Sequence, residues 1–150
     1  MSTDRIEKTV VLNVPRSRAW RAIASAEEFG AWFGARFEGA FVPGKNVSGH
    51  ITEPPGYEHI PFDITIETVS PETLFSFRWH PYAIDPGIDY SGEPTTLIEF
   101  RLEDVPEGTR LTVVESGFDG IPLARRAEAR RMNDEGWGIQ LENVARYVAG

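Results

Sequence analysis

From residue 5 to residue 14 the apolar side chains Ile6, Val10, Leu12 and Val14 share one parity, while Glu7, Thr9 and Asn13 occupy the other. This two-residue period predicts a half-buried strand. Pro15 then presets a helical backbone, and Trp20, Ile23 and Ala24 follow at the spacing of one helix face. Ser25 and Glu28 have the spacing of a capping box, and Phe29, Trp32 and Phe33 recur at i, i+3, i+4. The pattern predicts a second short helix that meets the first at an angle.

Strand-like runs follow at 36–41, 45–52, 61–69, 73–80, 95–102 and 110–116. They are punctuated by Pro43-Gly44, Pro54-Pro55-Gly56, Ser70-Pro71-Glu72 and Pro106-Glu107-Gly108. The expectation is an antiparallel meander. Residues 121–148 are rich in Ala, Arg, Glu and Leu and form the one long helical segment, with Asp119 as its expected cap and Pro122 in its first turn. Its apolar stripe is Trp137, Leu141, Val144 and Val148, and Gly136 and Gly138 predict a kink or a close backbone contact. No repeat, linker or low-complexity tract interrupts the chain. The fold class expected is α+β: a curved antiparallel sheet of six or seven strands wrapped around a long C-terminal helix, in one domain over 1–150. A single helix seldom fills such a concavity, so a small apolar ligand is expected between sheet and helix.

Composition narrows the function classes. The chain has 150 residues, 41% of them apolar, with Trp 4, Tyr 4 and Phe 9, enough for a substantial core. Fifteen Lys and Arg against 23 Asp and Glu leave a net charge of -8, which repels phosphate backbones and anionic lipid, so no nucleic-acid partner is expected. The absence of cysteine excludes disulfides, thiolate zinc sites and cysteine nucleophiles. No apolar run approaches the roughly 20 residues of a membrane span, and nothing at the N-terminus resembles a signal peptide, so no membrane insertion and a cytoplasmic location are expected.

The first strand, the Pro15-Arg16-Ser17-Arg18-Ala19-Trp20 helix start, Phe29-Gly30-Ala31-Trp32-Phe33, Glu115-Ser116-Gly117-Phe118 and the Gly136-Trp137 to Leu141 segment occur in a characteristic order. In these features the chain resembles the START/SRPBCC superfamily, specifically stand-alone bacterial domains similar to the C-terminal domain of the heat-shock-protein-90 ATPase activator. The resemblance covers nearly the whole chain. It implies a helix-grip fold with a deep apolar cavity and a bacterial stress-response setting. Members bind lipids, hormones or polyketides, cyclise or hydrolyse small molecules, or assist a chaperone, so fold alone does not choose among them.

Gly39-Ala40-Phe41-Val42-Pro43-Gly44-Lys45-Asn46 has phosphate-loop spacing, but Asn stands where Ser or Thr would reach magnesium. The alternating residues Val47, Gly49 and Ile51 replace the helix whose N–H groups would hold phosphate, so this is read as a turn before a strand. His50, His59 and His80 lack metal-ligand spacing and are read as loop or surface residues, His50 facing solvent by parity. No metal and no cofactor are expected.

His80 opens the longest loop, Pro81–Pro94, in which Tyr82, Asp85, Asp89 and Tyr90 make either a lid over a ligand or a surface excursion pinned by Pro81, Pro86 and Pro94. The stripe of the long helix, extended backwards, reaches Asn133, Arg130 and Arg126. On one reading these face the concavity, where charge requires a partner such as Glu115 or an acidic ligand group; on the other the helix twists at Gly136 and they face water. The candidate ligand-binding residues are Trp32, Phe33, Trp79, Tyr82, Tyr90, Glu115, Phe118, Arg126, Arg130, Asn133 and Trp137. Phe62, Ile64, Ile66, Phe75, Phe77, Ile98, Phe100 and Leu102 are expected to supply the remaining wall, most of them as plain core rather than as ligand contacts. The leading expectation is a binding module for a small apolar or aromatic molecule, monomeric or weakly dimeric. The alternatives are a cyclase or hydrolase using Glu115 or His80 as proton carrier, and a protein-interaction module acting on a chaperone ATPase.

Overall fold

The computed structural model describes residues 4–53, 55–56, 60–85 and 87–150. Met1 to Thr3, Pro54, Tyr57 to His59 and Pro86 lie outside the described residues, and with them part of one expected turn and one of the three histidines. In chain order the elements are β1 (Arg5–Leu12), α1 (Arg16–Ala24), α2 (Ala26–Phe33), β2 (Ala35–Phe37), β3 (Asn46–Val47), β4 (Gly49–Ile51), β5 (Ile64–Ser70), β6 (Leu74–Trp79), β7 (Thr96–Val105), β8 (Gly108–Ser116), a 3-10 turn (Phe118–Gly120) and α3 (Leu123–Ala149). The expected α+β architecture is present: an antiparallel six-stranded sheet in the order β1-β8-β7-β6-β5-β3, with α3 packed against it.

The helix pair follows local rules. The Ser25 side chain accepts the Glu28 backbone N–H at 3.3 Å, as expected of an N-cap. The reciprocal half of the capping box is missing because the Ser25 N–H already closes α1 on the Arg21 carbonyl. The Glu28 carboxylate is therefore free to bind Arg18 at 2.8 Å, Arg21 at 3.1 Å and the Tyr147 hydroxyl at 3.0 Å, tying α1 and α2 to the end of α3. Burial raises the Glu28 carboxyl, but the Arg18 and Tyr147 hydrogen bonds and the two arginine charges outweigh it and hold the group below its ordinary value. Gly34 ends α2 in the left-handed region at φ 90°, where a side chain would be strained.

Two expected strands differ. The 45–52 run is divided at Ser48: β3 joins the main sheet through β5, whereas β4 pairs with β2 in a separate two-stranded sheet, and β2 ends at Phe37. The switch depends on close backbone approach. Ser48 accepts the Glu38 N–H at 2.8 Å, and a Cβ on Gly49 would lie 2.3 Å from the Arg36 carbonyl oxygen. His50 lies within β4, half-buried, and its backbone is bridged to Pro61. No helix follows Lys45, so the phosphate-loop spacing is a turn, with Gly44 at φ 83°.

The long helix also departs from its expected details. Asp119 does not cap it; the 3-10 turn intervenes, and Pro122 sits at the N-cap with no side-chain hydrogen bond. Gly136 and Gly138 lie within one continuous helical element, and a Cβ at either would meet nothing within 4 Å. The expected stripe of Trp137, Leu141, Val144 and Val148 is buried.

On the inner face of the sheet, Ile64, Ile66, Phe75, Phe77, Ile98, Phe100, Leu111 and Val113 are buried on the parities expected of them. Phe29, fully buried on α2, touches Trp32, Phe33, Phe37, Phe41, Phe75, Phe77 and Phe100, with centroids 4.7 to 6.4 Å apart. The concavity beneath α2 and the C-terminal half of α3 is thus filled with aromatic rings.

Candidate ligand-binding site

A cavity of about 850 Å³ remains where the end of β6, the loop between β6 and β7, residues 51–53 and 60–63, and the middle of α3 meet. Its apolar lining comes from Ile51, Ile60, Phe62, Trp79, Tyr82, Ile84, Ile88, Tyr90 and Met132. The size suits a drug-sized guest. Exposed Asp63, Thr65, Arg78 and Asp89 also line it, so the cavity opens broadly at the edge of the sheet instead of lying sealed under the helix.

Below it lies a polar knot in the core. Glu115 extends β8's inward parity after Leu111 and Val113 and is 0% exposed. The indole N–H of Trp79 donates to its Oε2 and that of Trp137 to its Oε1, both at 2.8 Å. The two rings stack with centroids 5.6 Å apart. Thr96 Oγ1 lies 2.6 Å from Oε2, and Asn133 Nδ2 lies 3.0 and 3.1 Å from the two carboxyl oxygens. Burial raises the Glu115 carboxyl above its ordinary value, and the four donors only partly oppose this. Trp79, Trp137 and Asn133 present N–H groups, so the Thr96 hydroxyl is the partner able to accept a hydrogen bond from a protonated Glu115. Glu115 does not line the cavity, but two of its partners, Trp79 and Asn133, do.

Of the two readings of the arginine face, the one that pairs it with Glu115 is not realised. Arg126 Nε donates to the Ile121 carbonyl at 3.0 Å, and Arg130 Nη2 donates to the Arg5 carbonyl at 2.9 Å, on the β1 side of the helix. The reason is helical geometry. Stepping back four residues from Asn133 reaches fully buried Ala129, whereas stepping back three reaches half-buried Arg130, whose guanidinium meets the β1 backbone.

The sequence-derived candidates therefore divide. Trp79, Tyr82, Tyr90 and Asn133 line the cavity, as does His80. Glu115 and Trp137 form the knot beneath. Phe33 is half-buried and packs against Phe62, Trp79 and Trp137, which joins the aromatic core to this wall. Trp32 lies elsewhere, its indole donating to the Ala22 carbonyl at 2.8 Å, and Phe118 is fully buried in the core beside the start of α3.

Sequence reasoning missed Ile84, Ile88, Met132 and Arg125. The two isoleucines carried a signal, since apolar residues in a long loop need a partner; they are 40% and 48% exposed. Tyr82 holds a left-handed backbone at φ 52°, a conformation uncommon for a bulky residue. Among the described residues no group of His, Asp and Glu is arranged to hold a metal, and no helix is long and apolar enough to cross a membrane.

A long helix laid over an antiparallel sheet, with a cavity at one end, is an SRPBCC-like fold. The family model of the Activator of Hsp90 ATPase homolog 1-like proteins matches residues 13–149, and the chain belongs to that family. Solved structures agree in fold. Protein MLL2253 from Mesorhizobium loti superposes with a TM-score of 0.74 at 19% identity, over 97% of this chain and 96% of that one. A protein from Arthrobacter aurescens gives 0.78 at 16% identity, over 98% and 87%. DynU16, a protein in the dynemicin biosynthetic locus, gives 0.71 at 25% identity; 97% of this chain aligns with 47% of that one. Comparison with curated protein sequences gives no match.

Proposed function

We propose that this protein binds a small, mainly apolar molecule in the cavity between the 80–95 loop, the end of β6 and the middle of α3. The observation that carries this reading is an 850 Å³ space walled largely by aliphatic and aromatic side chains, two of them exposed loop isoleucines. Burying such surface yields about 25 cal/mol per Å². Glu115 and its four partners underlie the wall and fix the orientation of Trp79 and Asn133.

The guest is uncharged rather than acidic. Arg126 and Arg130 are held by backbone carbonyls away from the cavity, and Arg78, the arginine that lines it, is bound to Glu67 at 3.1 Å. Glu53, Asp63 and Asp89 also line the space and oppose a carboxylate.

The test is calorimetric titration with 1-naphthylmethanol and 1-naphthoate, a matched neutral and acidic pair. The alcohol is expected to bind more tightly, and Trp79→Ala to weaken it. Failure of both compounds to bind would refute the reading. Tighter binding of the naphthoate would overturn the preference for an uncharged guest. The family description supports a second reading, an interaction with a chaperone ATPase. Stimulation of an Hsp90-type ATPase by the purified protein would establish it, and an unchanged rate would remove it.

A further inference from the structure

Among the arginines near the cavity, Arg125 is placed against local preference. It stands in the first turn of α3, which contains no acidic residue and is followed at once by Arg126. A helix N-terminus disfavours cations. What offsets this is a set of contacts with the loop that walls the cavity. Arg125 Nε and Nη2 donate to Glu93 Oε1 at 2.9 and 2.7 Å, and Nη1 donates to the Pro81 carbonyl at 2.7 Å. The guanidinium carbon lies 4.8 Å from the centroid of the Tyr90 ring. One side chain thus holds the outgoing stem of the loop at Pro81 and its returning stem at Tyr90 and Glu93. A ring nitrogen of His80 lies 3.0 Å from the Glu93 carbonyl oxygen, a second tie between the stems.

The stem and the tip of the loop differ. The Arg125 and Glu93 side chains are 17% and 19% exposed, so their ion pair is sheltered from solvent. The tip carries the exposed Ile84 and Ile88, and the ties found there are local ones, such as the Asp85 N–H to the Tyr90 hydroxyl at 3.2 Å.

We propose that Arg125 is the positioning residue of the binding site: it clamps both stems of the 80–95 loop and so sets the placement of the cavity wall and the residence time of the guest. This rests on the binding reading above. The clamp acts through Tyr82, Ile84, Ile88 and Tyr90, which line the cavity, while Arg125 itself does not. Loss of the clamp frees the wall without unpacking the sheet or the Glu115 knot.

The experiment compares the unaltered protein with Arg125→Gln, Arg125→Lys and Glu93→Gln by amide hydrogen exchange and by stopped-flow dissociation of 1-naphthylmethanol. In Arg125→Gln, exchange within 80–95 is expected to quicken roughly tenfold while sheet and α3 amides hold their rates. Dissociation should quicken roughly tenfold, with a smaller change in association. Arg125→Lys keeps one charge contact but loses the fork, so it should recover part of both effects. Glu93→Gln should act like Arg125→Gln, and the double variant should add little. Unchanged loop exchange and dissociation, or exchange that quickens uniformly across the molecule, would overturn the clamp alone. Failure of the alcohol to bind the unaltered protein would instead remove the binding reading, and with it the proposed role of Arg125.

Discussion

The two ends of the concavity under α3 are built from the same kinds of side chain and reach opposite outcomes. At one end Phe29 enters from α2 and meets Phe41, Phe75, Phe77 and Phe100, and the space is solid. At the other, the strands run out into an irregular loop, whose aromatic and aliphatic residues wall a cavity without filling it. The difference lies in how the side chains are carried. A helix residue such as Phe29 is driven into the sheet by the packing of its whole element. Loop residues go only as far as their tethers allow. Glu115 and its stacked indoles mark the boundary, and the cost of burying a carboxyl there is offset by hydrogen bonds that lock Trp79 in place.

The largest expected effect breaks the filled end. Phe29→Ala should cost about 3–5 kcal/mol, because rigid rings on every side cannot collapse into the void. Urea denaturation measures it, and a loss below about 1 kcal/mol would mean that the aromatic packing contributes little. At the boundary, Glu115→Leu removes the acceptor shared by Trp79, Trp137 and Asn133. Each donor left unpaired costs about 1–3 kcal/mol, so a loss of roughly 3 kcal/mol is expected in the same assay.

The carboxyl also imposes a pH dependence. Its ordinary value of 4.5 is raised by burial, so between 4.5 and the raised value the folded protein holds a proton that the unfolded chain has released. The resulting stability is fully present below that window and is lost as pH rises through it. Glu115→Gln should flatten this decline in a pH series of denaturation midpoints; an unchanged slope would show that the carboxyl is ionised throughout. Glu28, held low by its arginines, acts in the opposite direction and loses its contribution as pH falls below 4.5.

Smaller effects sharpen the contrast. Trp79→Ala should weaken 1-naphthylmethanol about tenfold, whereas Trp32→Phe should leave that affinity unchanged; equal losses would merge the two ends into one site. Ser25→Ala should cost about 1 kcal/mol through loss of the α2 cap, without effect on the probe. Ile88→Ser should shift stability by less than about 0.5 kcal/mol while weakening the probe, since a half-exposed loop residue contributes little to the core.

Alternation and helical period located most elements because each follows from the local chain. The capping serine, the inner faces of β5 to β8, and the stripe from Trp137 to Val148 all agree with the sequence reading. The sequence left two readings of the arginine face open because a helical period has two possible return steps. Stepping back by four reaches inward Ala129, by three Arg130 on the β1 side, and the pattern alone cannot choose between them. Glu115 was singled out by its parity, yet its partners come from β6, β7 and α3, which no local signal joins.

By itself, then, the order of apolar and polar residues determined the α+β class, the element sequence, the inward position of Glu115 and the resemblance to a known superfamily, since all of these are written in neighbours a few positions apart. Only the tertiary structure decided which end of the concavity is filled, that the Glu115 carboxyl is met by indole, amide and hydroxyl donors instead of guanidinium, and that Arg125 reaches the loop. Those outcomes depend on the distance between elements far apart in sequence, and that distance is set by packing across the whole core.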